Sequence, residues 1–128
     1  GGLTAGFACP DNLAFDIKGN LWMTSDISGN KIETENYKGL GNNGLFVIPT
    51  SGKNAGNVIQ VGSAPMDAEL TGISFSPDQK QIFLSVQHPG ELTKDLKKPT
   101  SHWPSGNKMP RPTVVVIEGE YLESFTQA

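Results

Sequence analysis

The chain has 128 residues, enough for one domain with a modest core. Charged residues make up 18% and hydrophobic residues 36%, with 15 Gly and 9 Pro, which excludes both a disordered polar tract and a helical bundle. The net charge of −3 excludes the clustered basic surface that nucleic acid requires, and no apolar run approaches the roughly 20 residues of a membrane-spanning helix.

Strand signals then follow one another, short and bounded by turns. Leu13 to Ile17 reads as a first strand, Lys18-Gly19-Asn20 as a turn, and Leu21 to Ser25 as a second strand with Trp22 as its large side chain. A Gly- and Asn-rich stretch covers 29–44. Leu45 to Ile48 is a continuous apolar run of the buried-strand type, and Asn57 to Val61 forms a fourth strand after a turn over 49–56. The pattern restarts with a strand over Thr71 to Phe75, a turn at Ser76-Pro77-Asp78-Gln79, and a strand over Gln81 to Val86. A long loop holds Pro89, Pro99, Pro104 and Pro110, and Pro112 leads into a last strand over Thr113 to Ile117. A weak helical stripe lies at 91–98, and residues 119–128 read as a tail.

The two halves form an internal repeat. Leu13-Ala14-Phe15 and Leu21-Trp22-Met23 align with Ile73-Ser74-Phe75 and Ile82-Phe83-Leu84. Leu45-Phe46-Val47-Ile48 aligns with Val114-Val115-Val116-Ile117. Each unit is a meander of four strands, or three in the second copy, which is the form of a propeller blade. The expected fold is therefore all-β, about two blades of a β-propeller, with blade one over about 10–62 and blade two over about 67–118. Two hairpin modules of a sandwich would show similar strands, but the repeated order of turn, aromatic and third strand favours blades.

In a propeller the first strand of each blade lines the central channel, and residues just before it sit at the channel mouth. Asp11 and Asn12 occupy that place in the first unit and Glu69 in the second. Oxygen ligands converging there from several blades suit calcium, whereas zinc prefers His and Cys. Asp11 and Asn12 equally fit turn roles, and Glu69 stands as the lone charge entering its strand. Asp16, Asp26 and Asp78 read as turn-holding residues. Cys9 is the single cysteine, so no intrachain disulfide is expected, and it reads as a small buried residue. His88 leaves a strand end and could hydrogen-bond a metal ligand or a substrate oxygen. Arg111 could bind phosphate bidentately or pair at a strand end. Trp103 and the prolines are expected to fold the long loop back over a blade.

The strings Cys9-Pro10-Asp11-Asn12-Leu13-Ala14-Phe15-Asp16 and Asn43-Gly44-Leu45-Phe46-Val47-Ile48 resemble the blade motif of the PhoX-type bacterial alkaline phosphatases. The resemblance is most specific at Ala68-Glu69-Leu70-Thr71-Gly72 and at Gln87-His88-Pro89-Gly90-Glu91, and Pro110-Arg111-Pro112 also fits. It implies a six-bladed propeller, export to the periplasm or beyond, and hydrolysis of phosphomonoesters at a calcium and iron cluster on the channel axis. It implies Glu69 as a metal ligand, with Asp11 and Asn12 beside it, and a phosphate ester as substrate. The family's iron-binding cysteine belongs to its N-terminal half, so Cys9 does not inherit that role. The chain opens Gly1-Gly2-Leu3 without Met and is expected to be a piece of a longer protein, inactive in isolation and self-associating through exposed blade edges. A calcium-dependent lactonase or esterase propeller, and a non-catalytic binding propeller with structural calcium, are the rival readings.

Overall fold

A computed structural model describes residues 5–126. The described chain forms two antiparallel meanders and one helix. The first sheet runs in the order β1 (Pro10–Phe15), β2 (Leu21–Ser25), β3 (Gly44–Ile48) and β4 (Ile59–Ser63). The second runs β5 (Glu69–Phe75), β6 (Gln81–Gln87) and β7 (Thr113–Glu118). These are two blades of a propeller, one of four strands and one of three. Helix α1 (Glu120–Thr126) closes the described chain.

Several boundaries differ from those read in the sequence, for local reasons. Strand β1 starts at Pro10, opposite Ser25, with a register irregularity before Leu13, so Asp11 and Asn12 lie within it. It stops at Phe15 because Asp16 turns the chain. The Asp16 carboxylate accepts the N–H groups of Lys18 and Asn20 at 2.9 Å each, and Gly19 supplies the positive φ of +80°. Strand β4 starts two residues late because the Asn57 N–H is bonded to the Asn54 carbonyl in the preceding turn. The stripe at 91–98 is not a helix. Thr93 N–H and Lys98 N–H close successive turns onto Gly90 and Asp95, and the Asp95 side chain takes the Lys97 N–H. Within the segment read as a tail, Glu120–Thr126 form a helix, because Leu122 buries into the core and Phe125 meets Trp22 edge-to-face with ring centroids 6.0 Å apart.

The shared core lies between the sheets. Trp22, Leu45 and Val47 of the first blade pack against Leu70, Ile82, Leu84 and Val86 of the second. Trp103 and Phe125 pack against this cluster from the long loop and from α1, so the loop does fold back over the blades. Trp22 is fully buried, which stabilises the fold by about 3 kcal/mol at ordinary apolar transfer energies. Its indole N–H still needs an acceptor. Asp16 Oδ2 provides it at 2.9 Å, while also accepting Asn20 Nδ2 at 2.8 Å. One buried carboxylate thus closes the β1–β2 turn and completes the central core residue.

Replacing Asp16 with Ala leaves the buried indole donor and two turn N–H groups without this acceptor. We expect a loss of about 3 kcal/mol in urea unfolding and a red shift of tryptophan emission. An unchanged midpoint would show that the Asp16–Trp22 bond is dispensable.

Candidate metal and phosphate site

The antiparallel pairing brings several chemistry-bearing residues to one end of the blades. Pro10 pairs with Ser25, so Cys9 and Asp26 flank the same end of the first sheet, and the Asp26 N–H donates to the Cys9 carbonyl at 2.9 Å. Glu69 pairs with Gln87, so Asp67 and His88 flank the same end of the second. Val86 pairs with Thr113, which puts Arg111 at that end too.

Asn43 ties the two sheets together there. Its side-chain oxygen accepts the Ile27 N–H at 2.6 Å, and its amide nitrogen donates to the carbonyls of Ile27 at 3.0 Å and Ala68 at 3.3 Å. Those two carbonyls belong to the residue after Asp26 and the residue before Glu69. The buried amide therefore fixes the backbones that carry both carboxylates.

Glu69 is buried, and its Oε1 lies 3.3 Å from His88 Nε2. Its Oε2 is buried without a hydrogen-bond partner. Burial raises the Glu69 pKa, and the neighbouring Asp26 carboxylate raises it further; His88 opposes both. Asp26 itself is exposed at this end. Two ionised carboxylates both accept and neither donates, so the pair wants a shared proton or a cation.

His88 is held on two sides. Its Nδ1 lies 3.3 Å from the Asp67 carbonyl and 3.6 Å from Glu91 Oε2. Burial alone would lower its pKa, but the Asp67 carbonyl and the carboxylates of Glu91 and Glu69 outweigh it, and the net shift is upward. The doubly protonated ring satisfies acceptors on both nitrogens. Cys9, Asp67 and His88 all adopt positive φ, at 50°, 58° and 38°, a conformation that costs non-glycine residues of order 1–3 kcal/mol. Asp67 is held there by the Thr100 hydroxyl, which donates to its carboxylate.

The structure thus brings His88 to Glu69. Asp11 and Asn12 sit in β1, where Asn12 Oδ1 accepts the Gly72 N–H of β5 at 2.6 Å and Asn12 Nδ2 donates to Asp11. Arg111 is exposed, and its backbone N–H donates to the Trp103 carbonyl at 3.2 Å. Asp26, read from the sequence as a turn residue, is instead the acidic partner of Glu69. The only sequence signal for it was its place at the exit of a second strand, where His88 stands in the other blade. Among the described residues no group of three or more His, Cys, Asp and Glu side chains is arranged to hold a metal.

In chelator, Glu69 keeps its proton to higher pH when folded than when unfolded. Wild-type stability should therefore fall as pH rises from about 4.5 through the folded Glu69 value, and Glu69→Gln should remove that fall. His88 contributes stability that is complete below pH 6.5 and is lost as pH rises through its folded value, and His88→Gln should remove this second loss. Urea unfolding across pH reads both, and parallel profiles for wild type and Glu69→Gln would contradict the assigned environment.

A family model described as "Alkaline phosphatase PhoX" matches residues 3–90. Among solved structures, the chain is similar to one titled "Pseudomonas fluorescens PhoX in complex with vanadate, a transition state analogue", with 35% sequence identity and a TM-score of 0.67. The match covers 88% of this chain and 18% of that chain, so the present chain spans less than a fifth of its relative. No curated protein matches.

Proposed function

Because the chain belongs to the PhoX family of alkaline phosphatases, we propose that it forms part of the metal and phosphate site of an enzyme that hydrolyses phosphomonoesters. The carrying observation is the buried, unpartnered Glu69 Oε2 beside the Asp26 carboxylate. Such a pair fits a hard cation, since calcium takes six to eight oxygens and tolerates irregular geometry. Glu69 and Asp26 would hold the calcium, with Asp11 and Asn12 as further oxygen donors from the first blade. The donor set fits iron less well: the one cysteine, Cys9, turns its Sγ to the Tyr37 hydroxyl at 3.8 Å. Any iron would take its ligands from other blades.

A bound divalent cation supplies positive charge against the phosphoryl oxygens. The chain's own side chains supply orientation. His88 holds the Glu69 carboxylate through Nε2, and the Asp67 carbonyl holds the ring in turn. Arg111, at the same end of the second blade, would bind the phosphate oxygens as a planar donor fork. The vanadate in the solved relative supports phosphoryl chemistry as the reaction class. We place the complete enzyme in the periplasm or outside the cell, and we expect the isolated chain to be inactive because its ligand shell is partial. Among the described residues no helix is long and apolar enough to cross a membrane.

Substituting this chain for the corresponding segment of Pseudomonas fluorescens PhoX tests the reading. The chimera should hydrolyse a chromogenic phosphomonoester, and Glu69→Gln should lower that activity by about 100-fold or more, as loss of a metal-site group does. A folded chimera whose Glu69→Gln variant turns over at the unaltered rate would reject Glu69 as a ligand. Turnover by the 128-residue chain alone, supplied with calcium and iron, would reject the partial shell.

A further inference from the structure

The long loop after β6 is fastened at two points to the residues that lead into β5. The Gly90 N–H donates to the Met66 carbonyl at 3.0 Å, and the Thr100 hydroxyl donates to the Asp67 carboxylate. Gly90 makes the first contact because it lacks a side chain: its φ is +74°, and a Cβ there would stand 2.7 Å from Pro110 Cγ. The second contact joins residues 33 positions apart.

The number of hydrogens each group carries fixes the direction of the bonds around Thr100. A carboxylate accepts and does not donate, so the one hydroxyl hydrogen of Thr100 goes to Asp67. Thr93 Oγ1 lies 3.1 Å from Thr100 Oγ1 and also accepts the Thr100 N–H at 3.1 Å. With the Thr100 hydrogen spent on Asp67, the Thr93 hydroxyl is the donor of that pair. Donation therefore runs from Thr93 to Thr100 to Asp67. The Asp67 carbonyl in turn faces His88 Nδ1 at 3.3 Å, and a carbonyl only accepts, so Nδ1 carries the hydrogen. The other ring nitrogen, Nε2, lies 3.3 Å from Glu69 Oε1.

Asp67 is the weak member of this relay. It is buried, and its φ of +58° is one that a non-glycine residue holds only when its surroundings impose it. The Thr100 hydroxyl supplies that constraint by satisfying the carboxylate in place. Without the hydroxyl, the carboxylate turns toward water and the backbone relaxes out of the left-handed region. That relaxation rotates the Asp67 peptide and takes its carbonyl away from His88.

We propose that Thr100 is a positioning residue of the site: through Asp67 it fixes the His88 ring, and through the ring it aims the Glu69 carboxylate. Thr93 presets the Thr100 hydroxyl. Every member of the relay lies within the described residues, so the relay needs no further blade. It rests on the phosphatase reading only for what Glu69 would hold.

Nuclear magnetic resonance of the 128-residue chain with nitrogen-labelled histidine rings tests this. At about pH 6, below the ordinary histidine value and so below the raised value of His88, the ring is protonated. Its Nδ1–H should give a signal that resists exchange with water. Thr100→Val keeps the side-chain shape without the hydroxyl and should speed that exchange about 10-fold, as loss of one net hydrogen bond does. Thr100→Ser keeps the hydroxyl and should hold the wild-type rate. His102, whose Nδ1 faces the Lys108 carbonyl at 3.1 Å, is the internal control and should exchange alike in all three chains. Equal His88 rates in wild type and Thr100→Val would overturn the proposal. So would a Thr100→Ser chain that behaves like Thr100→Val, or an equal change at His102, which would mark general loosening. A wild-type His88 ring with no protected Nδ1–H overturns it without any variant. Should Thr100→Val not fold, Thr100→Ala removes the same hydroxyl and is read in the same way. The ring is read without turnover, so a failure here is separate from a failure of the phosphatase reading.

Discussion

The amide of Asn43 is the joint on which the site depends. A buried amide has four hydrogen-bonding positions, and any left open costs about 1–3 kcal/mol. Asn43 fills its positions with groups from two blades: both backbone groups of Ile27 and the carbonyl of Ala68. Satisfying one side chain thus obliges the exit of β2 and the entry of β5 to lie together. Its neighbour Asn42 extends the same tie, donating to the carbonyls of Ala64 and Pro65 in the link between the blades. Apolar packing alone would let two sheets slide, since the hydrophobic effect has no direction. Directed bonds from adjacent asparagines remove that freedom at the end where it matters.

The electrostatics at that end are a contest with a definite outcome. Burial opposes the charge on Glu69, and Asp26 opposes it again; only His88 favours it. Repulsion from an exposed neighbouring carboxylate adds to the cost of burial, and one imidazolium works against both. His88 is in turn shared with Glu91 and the Asp67 carbonyl, so its compensation is divided. The three left-handed residues at this end, Cys9, Asp67 and His88, add backbone strain. Charge repulsion and backbone strain therefore fall together at one end of the blades.

Much of the fold was legible because it repeats. The two aligned triplets and the two apolar third strands located seven strands within a few residues, and the faces followed from their alternation. The helix over Glu120–Thr126 was not legible. Seven residues carry too little periodicity, and its cause is tertiary: Leu122 and Phe125 fill space beside Trp22. In the site, Glu69 and His88 were visible as a lone charge entering a strand and a ring leaving one. Asp26 was not, because an Asp after a strand is far more often a turn residue, and its partner lies 43 positions away across a blade boundary. Asn43 was hidden for the same reason within an Asn- and Gly-rich stretch whose composition reads as loop.

The division between the two ends of the blades explains how one short chain combines stability with an unsatisfied site. At the turn end, Asp16 is a buried carboxylate with its demands met: two backbone N–H groups, one amide and one indole point at it. At the opposite end, Glu69 is a buried carboxylate with one oxygen unmet and an acid for a neighbour. Residue type and burial are alike in the two cases, and only the partners differ. Four donors make Asp16 a fixed part of the core, whereas Glu69 meets one imidazole at 3.3 Å and an acidic neighbour, and its Oε2 has no hydrogen-bond donor. A carboxylate becomes a candidate ligand when burial removes its water and the fold withholds the replacement.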